Sequence, residues 1–550
     1  MESASLGRKA GAAAAGIVLL TLCAGQFLMM LDSSVMNVSM ATVADDLGTT
    51  ITGIQTAITM YTLVMAAFMI TGGKIGQIIG RKRAFAIGCV IYAVGSFVTA
   101  ISPNLGVLLI GWSLLEGLGA ALILPCIVAL VASNFGPAER PRSYGLVASA
   151  AAIAVAAGPI IGGLCTTYLS WRYVFAGEVV VVAGILLLAR RMEEGPRDAN
   201  VRLDLVGTAL SALGLGLIVF GILKAGTWGI VSPKSGAPEW IGLSPVVWLI
   251  LGGGVVLWLF FAWQNRRLAR GSDPLVDPAM LRVPALRGGL TSFFFQYFLQ
   301  GGLFFAVPLF LSVALGLSAI DTGVRLLPLS VTLILAAAGI PKLFPDVSPR
   351  RVVRIGFAAL FVALVVLIAL LDTGAGAEVT TWPMLLAGLG VGALASQLGS
   401  VTVSAVPDDQ STEVGGLQNT ATNLGASLGT ALAGSVLIAI LTSSFIAGIE
   451  NNPAVPSQVS AQADVELASG IPFVSDADLE VALREAGASE ATTSAVVDEN
   501  ATARLDGLRT ALAAMAVMAL LALFFSGRVP EEQPGSQRDD RPEPVPAAAT

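Results

Sequence analysis

GGKIGQIIGRKR, residues 72–83, is a glycine-rich turn that ends in three consecutive bases between two apolar runs, 51–75 and 84–102. A helix needs roughly 20 apolar residues to cross a hydrocarbon layer about 30 Å thick, and both runs meet that length. The turn therefore joins two membrane spans. Its cluster Arg81-Lys82-Arg83 marks it as cytoplasmic, because short cytoplasmic loops carry an excess of Lys and Arg. Working outward from this turn gives fourteen expected spans: 13–40, 51–75, 84–102, 105–131, 143–168, 171–190, 205–226, 244–264, 288–313, 320–343, 352–372, 379–407, 414–446 and 504–527. With the N-terminus inside, the cytoplasmic connections hold Arg140 and Arg142, Arg190-Arg191, Arg266-Arg267 with Arg270, and Arg350-Arg351 with Arg354. The connection between spans 12 and 13 has no base, and the outer connections have few, Lys234 among them. This alternation predicts fourteen spans with both termini in the cytoplasm.

Composition agrees. The 550 residues are 55% hydrophobic and 12% charged, against about 25% charged in an ordinary soluble domain. The mean hydropathy is +0.80. These values exclude a soluble enzyme, a nucleic-acid-binding protein and a secreted domain, and leave an all-α polytopic membrane protein. The chain has no His, so imidazole catalysis and imidazole metal ligation are excluded. Cys23, Cys89, Cys126 and Cys165 lie in apolar runs without CxxC spacing and read as small membrane residues. No metal site, cofactor motif or Walker A sequence is legible. The first run follows Arg8 and Lys9 but is too long for the apolar core of a signal peptide, so it is expected to be a retained span.

Two polar pieces stand apart. The outer connection 447–503 has ten acids and one base, Arg484, with weak helical character at 476–486 and 489–498. Its acidity either concentrates cations at the outer mouth or simply reflects a solvated loop. The proline-rich tail 528–550 reads as disordered.

Sequence features also recur at an offset of eight spans. GGKIGQIIGRKR after span 2 is echoed by GIPKLFPDVSPRR (339–351) after span 10. GLGAAL (117–122) in span 4 matches GLGVGAL (388–394) in span 12, and GPIIGG (158–163) in span 5 matches GASLGTALAG (425–434) in span 13. Two parallel six-span repeats with spans 7 and 8 inserted suit a transporter that rocks about a central site. The expected organisation is a cytoplasmic N-terminus 1–12, a first bundle 13–190, an inserted pair of spans 191–287, a second bundle 288–527 that includes the loop 447–503, and the cytoplasmic tail 528–550.

Four motifs give the chain a family resemblance. They are FLMMLDSSVMNVSM (27–40), the turn 72–83, GWSLLEGLGAALILP (111–125) and AVAAGPIIGG (154–163), the last followed by SWRYVF (170–175). With them the chain resembles the major facilitator superfamily, specifically its fourteen-span drug:proton antiporter branch. The resemblance implies a bacterial cell-membrane efflux transporter that exchanges protons for drug-like compounds and works without cofactor or nucleic acid, the expected substrates being small molecules and the expected state a monomer. It also implies roles for individual residues. Asp32 in span 1 stands at the branch's acidic position. Gly158, Pro159, Gly162 and Gly163 form the antiporter-motif helix, with Ala154 where the first glycine usually stands. Gly73, Gly80, Arg81 and Lys82 form the cytoplasmic gating turn, although Gln77 replaces the usual Asp and Ile78 the usual Arg. In span 4, Ser113 replaces the usual Arg and Glu116 a neutral residue.

The residues themselves carry chemistry. A carboxyl at membrane depth costs roughly 2.5–3.5 kcal/mol on insertion scales and marks a functional site by default. Asp32, about two turns from the outer end of its span, and Glu116, near mid-membrane, are the proton-coupling candidates; each is otherwise a partner in an interhelix hydrogen bond. Ser113 and Glu116 are at i,i+3 and share a face. Asn37, Ser113, Glu178, Gln296, Gln300 and Asn423 are substrate-cavity candidates. Glu178 either pairs with Arg172 or faces the cavity. Gln296 and Gln300 share a face among Phe293, Phe294, Phe295 and Tyr297, a lining that suits an amphipathic or cationic ligand and serves interhelix bonding equally. Gln397, Gln418 and Asn419 add polar positions, and Asp321 and Arg325 are spaced for a local pair. Lys82 and its neighbours can reach helix C-terminal carbonyls. The expected function is export of lipophilic or cationic compounds. The alternatives are export of an endogenous metabolite or lipid, and a non-transporting membrane sensor on the same fold. The topology has a direct test: a cysteine at Ser475 is expected to react with a membrane-impermeant thiol reagent on intact cells, above the background of the native cysteines. Protection until lysis would contradict the fourteen-span count.

Overall fold

The computed structural model describes residues 2–135, 140–194, 202–234, 236–344, 346–372, 374–406, 411–455, 476–485 and 488–532. Most of the tail 528–550 and the middle of the loop 447–503 lie outside the described residues. The described residues are helical, with one isolated bridge between Trp240 and Leu243 and no named strand. Every backbone donor and acceptor in hydrocarbon must be satisfied within its own segment, and a helix does so. The elements are α1 Glu2–Asp46, α2 Ile51–Ile79, α3 Arg81–Ala100, α4 Leu105–Val131, α5 Arg140–Tyr168, α6 Arg172–Ala189, α7 Leu205–Trp228 and α8 Pro245–Ala269. They continue as α9 Pro284–Ala314, α10 Ala319–Leu343, α11 Pro349–Leu370, α12 Thr381–Val403, α13 Ser411–Asn451, the short α14 Asp476–Glu485 and α15 Glu490–Phe525.

Among these, thirteen are long and apolar enough to cross a membrane as they stand, and α5 makes a fourteenth. Within α5, Ser149–Val155 and Ala157–Tyr168 meet at 40°. Pro159 explains the place of the bend: its ring opposes the carbonyl of Val155, four residues earlier, and it donates no hydrogen bond there.

Helix pairings repeat with the same offset of eight spans. α1 packs on α5 as α9 packs on α13; α2 on α4 as α10 on α12; α3 on α6 as α11 on α15. This gives two six-helix bundles. They meet through two further pairs, α2 with α13 and α5 with α10. The inserted α7 and α8 pack on each other, and α7 also touches α2 and α13.

Small residues set the closeness of the bundle contacts. Between two helices in lipid, packing rather than water exclusion drives association. A Cβ on Gly163 would lie 2.6 Å from the Ile320 Cα of α10, and one on Gly323 would lie 2.1 Å from the Pro159 carbonyl oxygen. Across the other pair, Gln55 Nε2 donates to the carbonyls of Thr430 (3.2 Å) and Ala431 (3.3 Å), and Ser427 Oγ to that of Thr59 (3.0 Å).

α1 runs six residues beyond the span expected at 13–40. Its last turn ends in paired bonds, Gly48 N to Asp45 O and Thr49 N to Ala44 O, both 3.1 Å or shorter, with Gly48 at φ 58°. Such a left-handed glycine ends helices without a Cβ penalty. Asp32 consequently lies about four turns from the end of its helix rather than two. α15 likewise begins fourteen residues before the expected span 504–527. There Arg504 donates to Asp476 of α14 (2.6 Å), and Asn452, just past the end of α13, donates to Glu499 (2.9 Å). Ordered helix thus extends into the acidic connection.

The inserted pair is locked by one carboxylate. Asp204 caps α7, accepting from Gly207 N (2.9 Å), and also accepts from Trp263 Nε1 (3.0 Å) and Gln264 Nε2 (2.9 Å) of α8. Gln264 Oε1 in turn accepts from Leu275 N (2.6 Å), holding the segment that leads to α9. Removing a capping carboxylate costs about 0.5–2 kcal/mol, and here the half-buried Trp263 and the buried Gln264 would also lose their acceptor. Asp204→Ala is expected to lower the thermal unfolding midpoint of the purified protein. An unchanged midpoint would show that Asp204 does not hold the pair.

Candidate functional site

Four helices bring three acids together. α1 supplies Asp32, α4 Glu116 and α6 Glu178, while α3 supplies the hydroxyls that hold the two glutamates. All three acids are buried. One carboxylate oxygen from each lies within 4.8 Å of the others.

Each carboxyl has one oxygen fixed by a donor. Trp112 Nε1 donates to Asp32 Oδ1 (2.9 Å), Thr99 Oγ1 to Glu116 Oε1 (3.0 Å), and Tyr92 Oη and Ser96 Oγ to Glu178 Oε2 (3.1 Å each). The second oxygens, Asp32 Oδ2, Glu116 Oε2 and Glu178 Oε1, are buried and accept no hydrogen bond. Among the described residues no Lys or Arg forms an ion pair with any of the three. Three ionised carboxylates at this spacing would repel one another strongly, so the cluster is built to hold positive charge or protons.

The backbone of α4 explains the convergence. Leu109–Glu116 is π-helical, an insertion frequent at functional sites. This wide turn carries Trp112, Ser113 and Glu116. The Trp112 indole stacks on the Tyr61 ring of α2, centroids 4.8 Å apart and planes 6° from parallel. The Tyr61 hydroxyl lies beside Asp32. Opposite, α3 approaches closely at Gly95, where a Cβ would sit 2.6 Å from Glu116 Cγ and 2.8 Å from the Gly111 carbonyl oxygen.

The other expected positions fall in three settings. Ser113 is buried, and its Oγ donates to the Ala57 carbonyl (2.8 Å), tying α4 to α2. Glu178 joins the acids, because Arg172 is engaged elsewhere: Arg172 pairs with Asp46 and donates to the Ser102 carbonyl (2.8 Å). Trp171 Nε1 also donates to Asp46 (2.9 Å), and the guanidinium lies over the Trp171 ring.

Asn37 borders a narrow crevice between the bundles, with Ser34, Pro159, Phe304, Leu326 and Ser330. Its amide donates to its own helix at Ser33 O (2.7 Å), and Asn423 does the same to Asn419 O (2.8 Å). Gln296 is buried with Oε1 unpartnered, and Gln300 is half-buried. Asp321 accepts from Ser318 Oγ (2.6 Å) at the start of α10 instead of pairing with Arg325.

The motif helix α5 wedges between α1 and α10: Gly158 faces Ser34, Gly162 faces Val35 and Gly163 faces Ile320. At the cytoplasmic-signature turn, Gly80 has φ 105° and ends α2, where Cβ-bearing residues are strained. Lys82 Nζ donates to the carbonyls of Arg190 (3.0 Å) and Met192 (2.6 Å) beyond the end of α6. Gly73, Lys74 and Gln77 line a crevice with Val276, Asp277 and Gly416.

Sequence reasoning placed Asp32 and Glu116 together but left Glu178 open, and it missed Trp112, Tyr61, Tyr92, Ser96 and Thr99. The available signal was the polar stripe Tyr92, Ser96, Thr99 at i, i+4, i+7, which lies on one face of a single helix.

The family model of the Major Facilitator Superfamily matches residues 22–430. A probable actinorhodin transporter of Streptomyces coelicolor is 28% identical over 87% of this chain and 81% of its own length. The puromycin resistance protein pur8 of Streptomyces alboniger is 30% identical over 79% of this chain and 84% of its own. Among solved structures, a bacterial homologue of the human lysosomal transporter Spinster, inward-facing and unoccupied, superposes with a TM-score of 0.60 at 14% identity, covering 94% of this chain and 98% of that one. That likeness concerns the fold alone.

The packing at Gly95 is testable. Gly95→Val is expected to push Glu116 away from Thr99 and to destabilise the protein by about 1–3 kcal/mol, the usual cost of overpacking a tight contact. Wild-type thermal stability in this variant would mean that α3 and α4 are not in contact there.

Proposed function

The chain belongs to the Major Facilitator Superfamily, and we propose that it is a proton-driven exporter of lipophilic or cationic drug-like molecules in a bacterial cell membrane. The observation that carries this reading is the buried cluster of Asp32, Glu116 and Glu178, which lacks a cationic partner among the described residues. The names of the relatives support the cargo class, since they include a probable actinorhodin transporter and a puromycin resistance protein.

In this reading both termini are cytoplasmic and the chain works as a monomer. Asp32 and Glu116 take up and release protons, and Glu178 shares their chamber. A carboxyl that gains a proton loses its charge, which removes repulsion within the cluster. Substrate enters between the bundles at the crevice bordered by Asn37 and Ser34, with Gln296, Gln300 and Asn423 on the facing bundle. Antiport requires proton and substrate to bias one conformational equilibrium in opposite directions, each by its differential affinity for the two states. The contacts of α5 with α1 and α10 support such a link: Gly158 and Gly162 touch the helix that bears Asp32, and Gly163 touches the other bundle. Gly73, Gly80, Arg81 and Lys82 hold the turn that ends α2 and starts α3, next to the carbonyls beyond α6.

Everted vesicles loaded with a fluorescent cationic dye give the test. Accumulation is expected to collapse when an uncoupler is added with ATP held constant, and to be absent in Asp32→Asn. Accumulation that survives the uncoupler would remove the antiport reading, and wild-type transport by Asp32→Asn would remove Asp32 as the main proton site.

A further inference from the structure

The three acids form more than a set of proton acceptors. The geometry points to an oxygen-only binding site for a hard metal cation of sodium or calcium size, formed by Asp32, Glu116, Glu178 and the Tyr61 hydroxyl. The inference concerns the acids used in the export reading, but it stands on their placement and does not require proton coupling.

Three observations carry it. First, each carboxyl is oriented by a donor on one oxygen only. Trp112, Thr99, and Tyr92 with Ser96 hold Asp32 Oδ1, Glu116 Oε1 and Glu178 Oε2, which leaves Asp32 Oδ2, Glu116 Oε2 and Glu178 Oε1 buried without a partner. A buried oxygen left unsatisfied is unfavourable, and bound metal is one occupant that satisfies several at once. Second, the Tyr61 hydroxyl lies beside Asp32, is buried, and makes no hydrogen bond of ordinary geometry. It adds a fourth, neutral oxygen.

Third, the spacing selects the cation. Oxygens bound to one ion at about 2.3–2.6 Å lie no more than about 5 Å apart, whereas magnesium bonds of about 2.1 Å limit them to about 4.2 Å. One oxygen from each carboxyl lies within 4.8 Å of the others. The larger ion spans every separation up to that limit, whereas magnesium spans only the shorter ones. The donor set is also selective: with no imidazole and no thiolate in the cluster, soft and borderline metals lack the ligands that they prefer. Charge points the same way, because three acids without a basic partner among the described residues form a site whose neutralisation must come from bound cations or protons.

The three acids come from separate helices at positions 32, 116 and 178, which is why no ligand spacing is visible in the sequence.

Binding is measured on the purified, chelator-treated full chain in detergent, at one mildly alkaline pH. Thermal unfolding is followed against sodium, calcium and magnesium chlorides, with choline chloride matching the ionic strength. Sodium or calcium is expected to raise the midpoint saturably above the choline control, as any ligand bound only by the folded state does. Equilibrium dialysis with the radioactive cation is expected to approach one ion per chain. Glu178→Gln and Glu116→Gln are expected to lose the shift, and Tyr61→Phe to weaken it. The arm that responds identifies the ion as sodium or calcium. No shift above choline and no bound radioactive cation in the wild type would overturn the site, even if no acid variant can be purified. A shift that is unchanged in Glu178→Gln and Glu116→Gln would place the ion elsewhere, and a response to magnesium alone would overturn the size assignment. Loss of uncoupler sensitivity in vesicles bears only on export, so the two readings fail separately.

Discussion

The hydrogen bond from Trp112 to Asp32 organises the first bundle. Through it α4 grips α1, and through the Tyr61 stack the same indole grips α2. A tryptophan suits this position because its ring buries a large apolar area while its single N–H needs one acceptor. The bond spends that donor on one oxygen of Asp32 and leaves the other buried without a partner. The π-helical turn of α4 makes this possible by bringing Trp112 and Glu116 onto converging directions, each toward a different helix. Ser113, between them, fastens the turn to α2 through the Ala57 carbonyl.

The cluster lies one helix away from the contact between bundles. Asp32 shares α1 with Ser34 and Val35, these pack on Gly158 and Gly162 of α5, and Gly163 of α5 packs on Ile320 of α10. Such contacts leave little room to slide, since a Cβ would clash at Gly158 and Gly163 and fit only tightly at Gly162. A displacement of α1 therefore has to move α5 or break its packing. This is spatial continuity and not measured coupling, and it identifies α5 as the element whose equilibrium both sites would have to bias.

The fold was legible because its signal is summed over long segments. Hydropathy needs only about 20 residues of one character, and the Lys/Arg alternation checks the count against topology. Segment ends were less legible. α1 outran its expected limit because its stop is the Gly48 turn, and the sequence does not mark which of its 61 glycines are left-handed. The site was legible only in part. Asp32 and Glu116 stood out as isolated acids in apolar runs. Glu178 stood out equally, but its nearest base in sequence was Arg172, and nothing local reveals that Asp46 at the end of α1 claims that guanidinium. Asn37 and Asn423 read as cavity amides, and the structure adds a local bond that sequence position does not announce: each donates to the carbonyl four residues earlier in its own helix, a bond open to short polar side chains.

What remains is the energetic meaning of three uncommitted oxygens. A buried polar group without a partner costs about 1–3 kcal/mol. Nature does not maintain several such groups side by side for packing alone when apolar residues of similar volume would avoid the penalty. In the readings proposed above, protons or a bound cation remove this penalty, and the two would then compete for the same oxygens. Whether competition becomes transport depends on a second condition, that the occupied and vacant chambers favour different arrangements of α1 against α5. The close glycine contacts supply the stiffness that this condition requires, because packed interfaces switch between discrete arrangements instead of deforming gradually.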